Sequence, residues 1–509
     1  MPSYLSPGVY VEEVQNGSRP IEGVGTAVAA FVGFAPQGPF HEPTLVTNWN
    51  QYVENFGGFD DGYLAHAVYG YFANGGGSAY VVRIGGPAQT SAQSAAPAES
   101  RPDPVELGDL RISALPGAGG EVTVEVADAD GDNPPDDRFK LLVRQGGKVS
   151  ETFDVSTRRN VKSYVVNQVR ERSKLIEITE PAAALSRPDN QSVTLPATPA
   201  PSNAPAKVDA GEYVGDLAAR TGFGGLETVD EITMVAVPDL MSAHQRGLID
   251  AEGVRTVQLA AISHCEQLGD RVAILDAPPG LNAQQVRNWR ADQAGYDSHY
   301  ASLYYPWIKV FDPGTGRNAL VPPSGHVAGV WARSDNERGV HKAPANEVIR
   351  GAVDLETRLS KGEQDQLNPI GVNCVRAFAG RGIRIWGART LSSDPAWRYL
   401  NVRRLFNYLE ESILLGTQWV VFEPNDDRLW ASIRRNISAF LHEAWRDGAL
   451  FGRTPDEAFY VKCDRDNNPQ ESIDLGRVVC EIGVAPVKPA EFVIFRLSQF
   501  SDSTSLLSE

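Results

Sequence analysis

Cysteine is scarce in this chain. Its 509 residues include four cysteines, at positions 265, 374, 463 and 480, and no two of them form a C-x-x-C pair. So few and so widely spaced cysteines are typical of a protein made in a reducing compartment, and we expect free thiols. A basic segment followed by an apolar one, as in a secretory signal, is also missing from the N-terminus. We therefore expect a cytoplasmic protein.

Long apolar runs and excess positive charge are missing as well. The longest apolar stretch, residues 24–35, is too short to span a bilayer, so no membrane insertion is predicted. The formal net charge is −17, which argues against direct binding of a nucleic acid through its phosphates. With 42% hydrophobic residues the chain can still bury a large core, and its length predicts two to four domains.

The motifs of nucleotide and hydrolase chemistry are absent too. No G-x-x-x-x-G-K-[ST] loop, strand-linked G-x-G-x-x-G, G-x-S-x-G elbow or H-E-x-x-H pair occurs. Asp239 and Asp276 follow predicted buried strands, where a carboxylate can hold a metal ion or a ribose. Because no phosphate-binding loop accompanies them, we interpret both as turn or cap residues.

An acidic stretch, DADGDNPPDD (128–137), spaces its carboxylates as a calcium loop does. A calcium-binding EF-hand loop needs glycine at its sixth position and glutamate at its twelfth, and this chain has Asn133 and Phe139 there. A solvated loop is the better interpretation. We predict no catalytic residue, no cofactor and no metal ion, and hence no enzyme.

The pattern that is present predicts a mixed α/β core with a second domain inserted into it. Residues 88–222 contain two stretches rich in Pro, Ala and Ser, which read as linkers, and between them a small β-rich α+β domain. Outside this insert, buried strands at 233–240, 271–280 and 303–313 alternate with helices at 253–269 and 283–294. Such strands predict a mixed sheet covered by helices on both faces.

The last third predicts two long helices. The first spans 392–416, with Asp394 as its N-cap, Pro395 in its first turn and Gly416 at its C′ position. The second lies within 425–452. Its apolar stripe is Trp430, Ile433, Ile437, Leu441 and Ala444. The opposite side carries a basic stripe, Arg428, Arg435, His442 and Arg446.

Both ends of the chain read as lone extended strands, VYVEEV near the N-terminus and EFVIFRL near the C-terminus. A strand that is apolar on both faces must join a sheet, either its own or that of another subunit. Residues 15–23 look like a loose tether long enough to reach a neighbour. Strand addition is an established way of joining chains, and head-to-tail contacts build rings or filaments. The residues we expect in these inter-subunit strands are Val9, Tyr10, Val11, Val14, Phe492, Val493, Ile494, Phe495 and Leu497.

A series of blocks resembles the contractile tail sheath family, which includes phage sheaths and the sheaths of phage-tail-like contractile injection systems. The blocks are SPGVYVEEV, TAVAAFVGFAPQGP, VTNWNQYVENFGGF, GVNCVRAFAGRGIRIWGART, WRYLNVRRLFNYLEESI, the long block QWVVFEPNDDRLWASIRRNISAFLHEAWRDGALFG and PAEFVIFRLSQ. The resemblance covers residues 1–85 and 225–500, and the order of the blocks is more specific than any one of them.

This resemblance implies a subunit that assembles into stacked hexameric rings around an inner tube protein, with a baseplate and a terminal cap protein as further partners. Terminal arms donate strands to neighbours, and contraction drives the tube through a target envelope. The particle is then part of a virion or an injection system made in a bacterial cytoplasm. No disassembly ATPase is implied, and we expect the basic stripe to face the tube. Another self-assembling component, of a baseplate or shell, is the first alternative, and a soluble α/β enzyme is the second.

With the resemblance, the predicted domains are an arm, a first core part, the outer insert, a middle core part, a C-terminal sheath domain, and a second arm with its tail. In the same order their bounds are 1–24, 25–87, 88–222, 223–370, 371–486 and 487–509.

Overall fold

The computed structural model describes residues 20–85, 208–496 and most of 105–195, the last in segments separated by gaps at 109, 115–121, 130–134, 136, 146–147, 160, 174 and 180–185. The chain divides into two compact units, one formed by Met1–Gly85 with Ala206–Glu509 and the other by Gly86–Pro205. Residues 208–222, which the sequence pattern assigned to the insert, belong to the first unit. Val208 and Tyr213 are buried in its core, which explains the difference.

The strands of the described residues are, in chain order, β1 (Val28–Gly33), β2 (Thr44–Val46), β3 (Ser78–Arg83), β4 (Val105–Leu107), β5 (Leu110–Ala114), β6 (Val122–Asp128), β7 (Arg138–Gln145), β8 (Lys148–Ser156), β9 (Ile176–Thr179), β10 (Ser192–Leu195), β11 (Met234–Ala236), β12 (Val272–Asp276), β13 (Ala301–Tyr305), β14 (Ile308–Asp312), β15 (Arg317–Val321), β16 (Ala352–Leu355), β17 (Val372–Phe378), β18 (Gly382–Ile385), β19 (Phe459–Lys462) and β20 (Glu481–Val484).

The α-helices are α1 (Trp49–Phe56), α2 (Leu64–Ala73), α3 (Val165–Arg172), α4 (Ala210–Val214), α5 (Gly222–Leu226), α6 (Asp239–Gln245), α7 (Ala251–Leu268), α8 (Ala283–Asn288), α9 (Ser324–Arg338), α10 (Lys361–Leu367), α11 (Leu400–Gly416), α12 (Asp427–Arg446), α13 (Pro455–Ala458) and α14 (Gln470–Asp474). A π-helical turn, Trp289–Ala294, continues α8, and 3₁₀ turns lie at Asn368–Ile370 and Gln418–Val420.

The first unit is built on an eight-stranded sheet in the order β18-β17-β13-β12-β11-β1-β3-β2. Its inner pairs are parallel, and the edge strands β2 and β18 are antiparallel to their neighbours. Alternate residues of the strands enter two different hydrophobic clusters. Helices α4 to α8 cover one face and α1, α2 and α9 the other. The predicted mixed α/β fold, with helices on both faces of the sheet, is confirmed.

The predicted strand 303–313 is two strands in two sheets. β13 ends at Tyr305 in the large sheet, and β14 starts at Ile308 in a three-stranded sheet ordered β15-β14-β16. Pro306 lies between them, and proline has no N–H to donate to a sheet ladder. The apolar run 303–313 therefore contributes one strand to each of two sheets.

The second unit has its own core beneath two antiparallel sheets, ordered β10-β6-β7-β8 and β4-β5-β9. The predicted hairpin is the antiparallel pair β7 and β8. The predicted short helix and last strand are α3 and β9. Asp128, in the acidic stretch, pairs with Arg187 at 2.5 Å, and Asp137 pairs with Arg158 at 3.0 Å.

Asp239 and Asp276 are buried helix caps. The Asp276 carboxylate accepts a 2.9 Å hydrogen bond from the Ser324 N–H, at the start of α9. Asp239 accepts from the N–H groups of Phe34 and Leu64, the latter at the start of α2. Burial raises the pKa of both carboxyl groups to about 7. These contacts agree with the interpretation as caps.

Helices α11 and α12 enclose a separate apolar cluster together with β19 and β20. The whole predicted apolar stripe of α12 is buried there, and Asp426 caps the helix through the Leu429 N–H at 2.9 Å. The predicted start of α11 at Asp394 and Pro395 is wrong. Asp394 accepts a bond from the Ala396 N–H, which closes a local turn.

Helix α11 instead begins at Leu400, because the preceding residues are held in an extended conformation by pairing. The Thr390 N–H donates to the Arg398 carbonyl at 2.9 Å, and Arg389 and Tyr399 form an antiparallel bridge. At the other end Gly416 is the last residue of α11 rather than its C′ residue.

The cysteines are free thiols in the structure. Among the described residues, no cluster of His, Cys, Asp and Glu is arranged to hold a metal ion. None of the helices in the described ranges is both long and apolar enough to cross a membrane.

Candidate assembly site

Helix α11 holds the bases of both terminal arms. The N-terminal arm packs along the last turns of this helix, and the C-terminal arm is bound at its first turn. The side of α11 that faces α12 is apolar, with Leu405 and Leu409 buried. Helix α11 therefore connects the base of the N-terminal arm with the base of the C-terminal arm.

Ile21 is the apolar contact of the N-terminal arm. Its side chain is 7% exposed and lies against Gly416, where an added Cβ would come within 2.7 Å of it. The Val24 N–H donates a 3.1 Å hydrogen bond to Ser412 Oγ, one turn earlier on α11. Residues 21–24 are therefore fixed. The predicted loose tether does not extend through them, because burial of the Ile21 side chain stabilises the fixed conformation by more than the conformational entropy that is lost.

A buried ion pair completes this N-terminal anchor. Arg404 on α11 donates to both oxygens of Asp335 on α9, at 2.9 and 2.6 Å, and both side chains are almost wholly buried. Arg404 also donates to the Thr26 carbonyl at 2.9 Å, and the Thr26 hydroxyl donates to Asp335 at 2.7 Å. The pair thus has hydrogen bonds to Thr26 besides its own two, and such bonds favour a buried salt bridge.

The C-terminal arm is bound first through its backbone. The Asn401 side-chain amide, in the first turn of α11, donates to the Val487 carbonyl at 3.1 Å. The Val487 N–H donates to the Ala449 carbonyl at 3.2 Å. Both bonds use main-chain groups of the arm, so they fix its path whatever side chain stands at 487.

Glu491 then ends the fixed part of the C-terminal arm. Its carboxylate accepts hydrogen bonds from Arg389 Nε at 2.9 Å and Nη2 at 2.6 Å, from Asn368 at 2.7 Å and from the Tyr399 hydroxyl at 3.3 Å. Burial alone would raise the pKa of Glu491, but the bonds from Arg389 and Asn368 lower it below its ordinary value. The carboxylate is therefore held charged in a fitted, bidentate site.

Beyond Glu491 the arm is exposed. Phe492, Val493, Ile494 and Phe495 are 73%, 68%, 78% and 85% exposed, and none of them belongs to a strand of the described chain. Four consecutive large apolar side chains in water are unfavourable, by roughly 1.5–3 kcal/mol each relative to full burial. Such a segment marks an interaction site. The remaining predicted arm residues, Val9, Tyr10, Val11, Val14 and Leu497, lie outside the described residues.

The two-stranded ribbon β19–β20 has unpaired edges. Its strands pair antiparallel, with Phe459 opposite Val484 and Lys462 opposite Glu481. Within the described ranges neither strand has a second strand beside it, and only beyond the end of β20 do residues 485–487 pair with 449–451. One face, including Val461 and Ile482, packs on the α11–α12 cluster, while Tyr460 on the other face is 53% exposed. A ribbon this small is only marginally stable alone, and its open edges are templates for a further strand.

The basic stripe lies on the outer side of α12. The members Arg428, Arg435, His442 and Arg446 are all exposed. Successive members are seven, seven and four residues apart, which places them on one face at about 3.6 residues per turn. Within the described part of the chain none of the four forms an ion pair, whereas Asp427 beside them pairs with Arg465 at 2.7 Å. The stripe is therefore available to a partner.

Sequence reasoning missed the anchors of the arms. Arg389 and Glu491 are 102 residues apart, and Val24 and Ser412 are 388 apart, so no local pattern connects them. A signal was available in Glu491 itself, a charged residue directly before the apolar run 492–495.

Two family models match adjoining stretches of the chain. The model of the phage tail sheath protein central domain matches residues 206–391, and that of the phage tail sheath C-terminal domain matches residues 392–500. Together the two models cover more than half of the chain. They include every residue of the two anchors except Ile21, Val24 and Thr26. The chain belongs to the tail sheath protein family.

Similar proteins agree with this membership. The tail sheath protein of Burkholderia phage BcepMu is 26% identical over 526 residues, covering 98% of this chain and 96% of that protein. The tail sheath protein of Vibrio phage KVP40 is 26% identical over 422 residues, covering 76% of this chain but 59% of that longer protein. The contracted helical sheath of the anti-feeding prophage has the same fold, with a TM-score of 0.60, 24% identity and coverage of 98% of this chain and 100% of that one. A tail sheath protein is a structural subunit of a contractile tail or a related injection particle.

Proposed function

We propose that this tail sheath protein polymerises as stacked hexameric rings around an inner tube and that its terminal arms join the subunits by strand addition. The observation that carries the proposal is the exposed apolar segment 492–495, which is anchored at Glu491 and outside every sheet of the described chain. Strand addition buries such side chains and supplies main-chain hydrogen bonds at the same time.

The acceptor in this proposal is the β19–β20 ribbon of a neighbouring subunit. An incoming strand would send alternate side chains, such as Val493 and Phe495, towards the neighbour's α12 and extend its apolar cluster. The ribbon would gain the third strand that gives such a sheet independent stability. Donor and acceptor are different surfaces, so the contact is head-to-tail and propagates into rings or helical filaments.

The two anchors give the arms different destinations. The last fixed contacts of the two arms lie at opposite ends of α11, Ile21 beside Gly416 and Glu491 beside Tyr399. The 17 residues of this helix measure about 25 Å at a rise of about 1.5 Å per residue. Two arms that start so far apart reach different neighbours, and a subunit with two such links becomes part of a mesh. Rings linked in this way stay connected while their spacing changes.

In this account contraction is a rigid-body rearrangement of subunits between two packings, with the arms as flexible links. The extended sheath is kinetically trapped by its tube and baseplate, and new contacts between subunits supply the energy. A terminal cap protein closes the end away from the baseplate, and the tube is driven through a target envelope. The particle forms in the cytoplasm of the producing cell.

The basic stripe is the proposed tube contact. Exposed ion pairs contribute about 0–1 kcal/mol each, so a face of three arginines and a histidine holds the tube weakly along each subunit. Weak contacts suit a sheath that must release its tube on contraction. Many subunits acting together would still position the tube during assembly.

The test uses a subunit truncated after Glu491. It keeps the anchor and the acceptor ribbon but lacks the donor strand, so alone it should form no cylinders in negative-stain electron microscopy. Mixed with full-length subunits in equal amounts, it should cap growing ends and shorten the cylinders. Circular dichroism should show an unchanged fold. Cylinders of normal length from the truncated subunit would contradict strand donation, and closed shells from the full-length chain would favour the alternative of a shell or baseplate component.

A further inference from the structure

Cys463 and Cys480 face each other at one end of the β19–β20 ribbon. The last pair of the ladder is Lys462 opposite Glu481, and continuing the same register by one residue pairs Cys463 with Cys480. Both side chains pack in the apolar cluster of α11 and α12, on the inner face of the ribbon. Both are free thiols.

The hydrogen-bond pattern of the ribbon defines their geometry. The Ala485 N–H donates to the Ala458 carbonyl at 2.8 Å, so residues 458 and 485 form a hydrogen-bonded pair. Such pairs alternate along an antiparallel ladder, which makes 463 and 480 a pair without hydrogen bonds. The ladder ends at Lys462 and Glu481, one residue before this pair. A continued ladder would place the two Cα atoms about 4.5 Å apart, inside the range of about 4.4–6.8 Å that a disulfide requires.

We propose that Cys463 and Cys480 are a modification site, where an oxidising medium forms an intramolecular disulfide that closes this end of the ribbon. Its importance for assembly rests on the proposed function, because the ribbon is the proposed acceptor of a neighbour's strand. In the reducing cell the thiols stay free while the arm of a neighbour adds to the edge of the ribbon. In the released particle the bond cross-links the two strands of the acceptor ribbon.

The reaction is a thiol–disulfide exchange with a small disulfide such as oxidised glutathione. Cys480 is partly exposed and Cys463 is buried, so the Cys480 thiolate attacks first and one glutathione thiolate leaves. The Cys463 thiolate then attacks the Cys480 sulfur, and the second glutathione thiolate leaves. The protein loses two protons and two electrons, and the two electrons reduce the small disulfide to two thiols.

The surroundings of the pair set the rate of this reaction. Burial raises the pKa of Cys480 to about 12 and also raises the pKa of Cys463. The charged groups nearest to Cys463 are Arg434, which favours the thiolate, and Asp464, which opposes it. Because the thiolate is the attacking species, exchange is slow at neutral pH and faster in mild alkali.

The bond would close the loop of residues 464–479, which contains α14. Cross-linking restricts the open states of the segment that it closes. Backbone amides of β19 and β20 should therefore exchange with solvent several-fold more slowly in the oxidised protein than in the reduced one.

The experiment oxidises the reduced, unassembled full-length protein with a glutathione redox buffer at mildly alkaline pH and follows its intact mass. We expect a loss of about 2 Da, the two hydrogen atoms of the thiols, and a peptide that links Cys463 to Cys480. Hydrogen exchange by mass spectrometry then measures the protection of β19 and β20. Cys265 and Cys374, both buried, serve as internal controls that stay reduced in the folded protein.

Variants distinguish the proposed pair from simple exposure of one thiol. Cys463→Ser should stop at a glutathione adduct on Cys480, and Cys480→Ser should remain unmodified at Cys463. If the wild type also stops at the adduct, or yields disulfide-linked dimers instead of the loss of 2 Da, the proposal is overturned. Because this readout uses unassembled subunits, it is independent of whether cylinders form through strand addition.

Discussion

Arg389 Nη2 and Glu491 Oε2 lie 2.6 Å apart, and this contact separates the folded body of the subunit from its exposed C-terminal arm. On one side of it the chain is fixed by hydrogen bonds to α11 and its surroundings. On the other side four large apolar residues are exposed in the described part of the chain. The pair therefore defines the point at which the arm leaves the subunit and the direction in which it starts.

Glu491→Ala should release the base of the arm without unfolding the subunit. It removes four hydrogen bonds and the carboxylate partner of Arg389, whose guanidinium keeps its bond to the Asn368 carbonyl. A hydrogen bond to a charged group contributes about 1.5–3 kcal/mol. We expect fewer and shorter cylinders in negative-stain images and faster proteolysis of residues beyond 487. The control Arg358→Ala removes an exposed ion pair with Asp354, worth about 0–1 kcal/mol, and should assemble normally. Normal cylinders from Glu491→Ala would show that the anchor is not needed.

Gly416→Ala should displace the N-terminal arm. Alanine is ordinarily the better helix residue by about 1 kcal/mol, but here its methyl group would collide with Ile21. We expect a stable fold with impaired assembly. The matched control is Gly362→Ala in α10, where an added methyl group meets open space, and this variant should assemble as the wild type does. Equal assembly of the two variants would contradict the role of the Ile21 contact.

Reversing charge in the basic stripe should weaken tube binding and leave the monomer intact. We expect the double variant Arg435→Glu, Arg446→Glu to abolish co-assembly on purified tubes. Its free energy of unfolding should change by no more than about 0.5 kcal/mol, because both residues are exposed. Arg358→Glu with Lys361→Glu makes the same change in net charge elsewhere on the surface and should co-assemble normally. If the stripe variant assembles on tubes as well as this control, the stripe does not face the tube.

Asp276 should make unfolding depend on pH. Its folded pKa of about 7 lies above its unfolded value of 3.8, so the folded state binds more protons between these two values. The free energy of unfolding of the wild type should therefore fall relative to that of Asp276→Asn as the pH rises from 4 to 7. Urea unfolding of both proteins across this range measures the difference.

Asp354 supplies the control of opposite sign. Hydrogen bonds from the Leu355 backbone and from Arg358 lower its pKa, so its stabilisation is present above the unfolded pKa and is lost as the pH falls through the folded one. Relative to Asp354→Asn, the wild type should gain stability with rising pH. A difference for Asp276→Asn that is flat or of this opposite sign would contradict the assignment of Asp276 as a buried, protonated cap.

Much of the fold could be predicted because its signals are local. The buried strand β12, helix α7 and the apolar stripe of α12 follow from the spacing of apolar residues along short stretches. The start of α11 could not be predicted, because Asp394 and Pro395 form a good capping sequence that is overridden by pairing of Arg398 with Thr390. Tertiary contacts outweigh local propensity at such places.

Only part of the candidate assembly site could be predicted from the sequence. The arm segment 492–495 was predictable, since a strand apolar on both faces must be covered by something. The anchors were not, because Ile21 meets Gly416 and Glu491 meets Arg389 only after the chain has folded. The two residues of each contact are so far apart in the sequence that no local pattern connects them.

The most direct test is a high-resolution map of the assembled sheath in which the main chain is traced from Val487 past Leu497. Strand donation predicts that the trace passes Glu491 at its anchor, leaves the subunit, and continues as a strand hydrogen-bonded to the β19–β20 ribbon of another subunit. A trace that turns back and pairs with a sheet of its own subunit would contradict it.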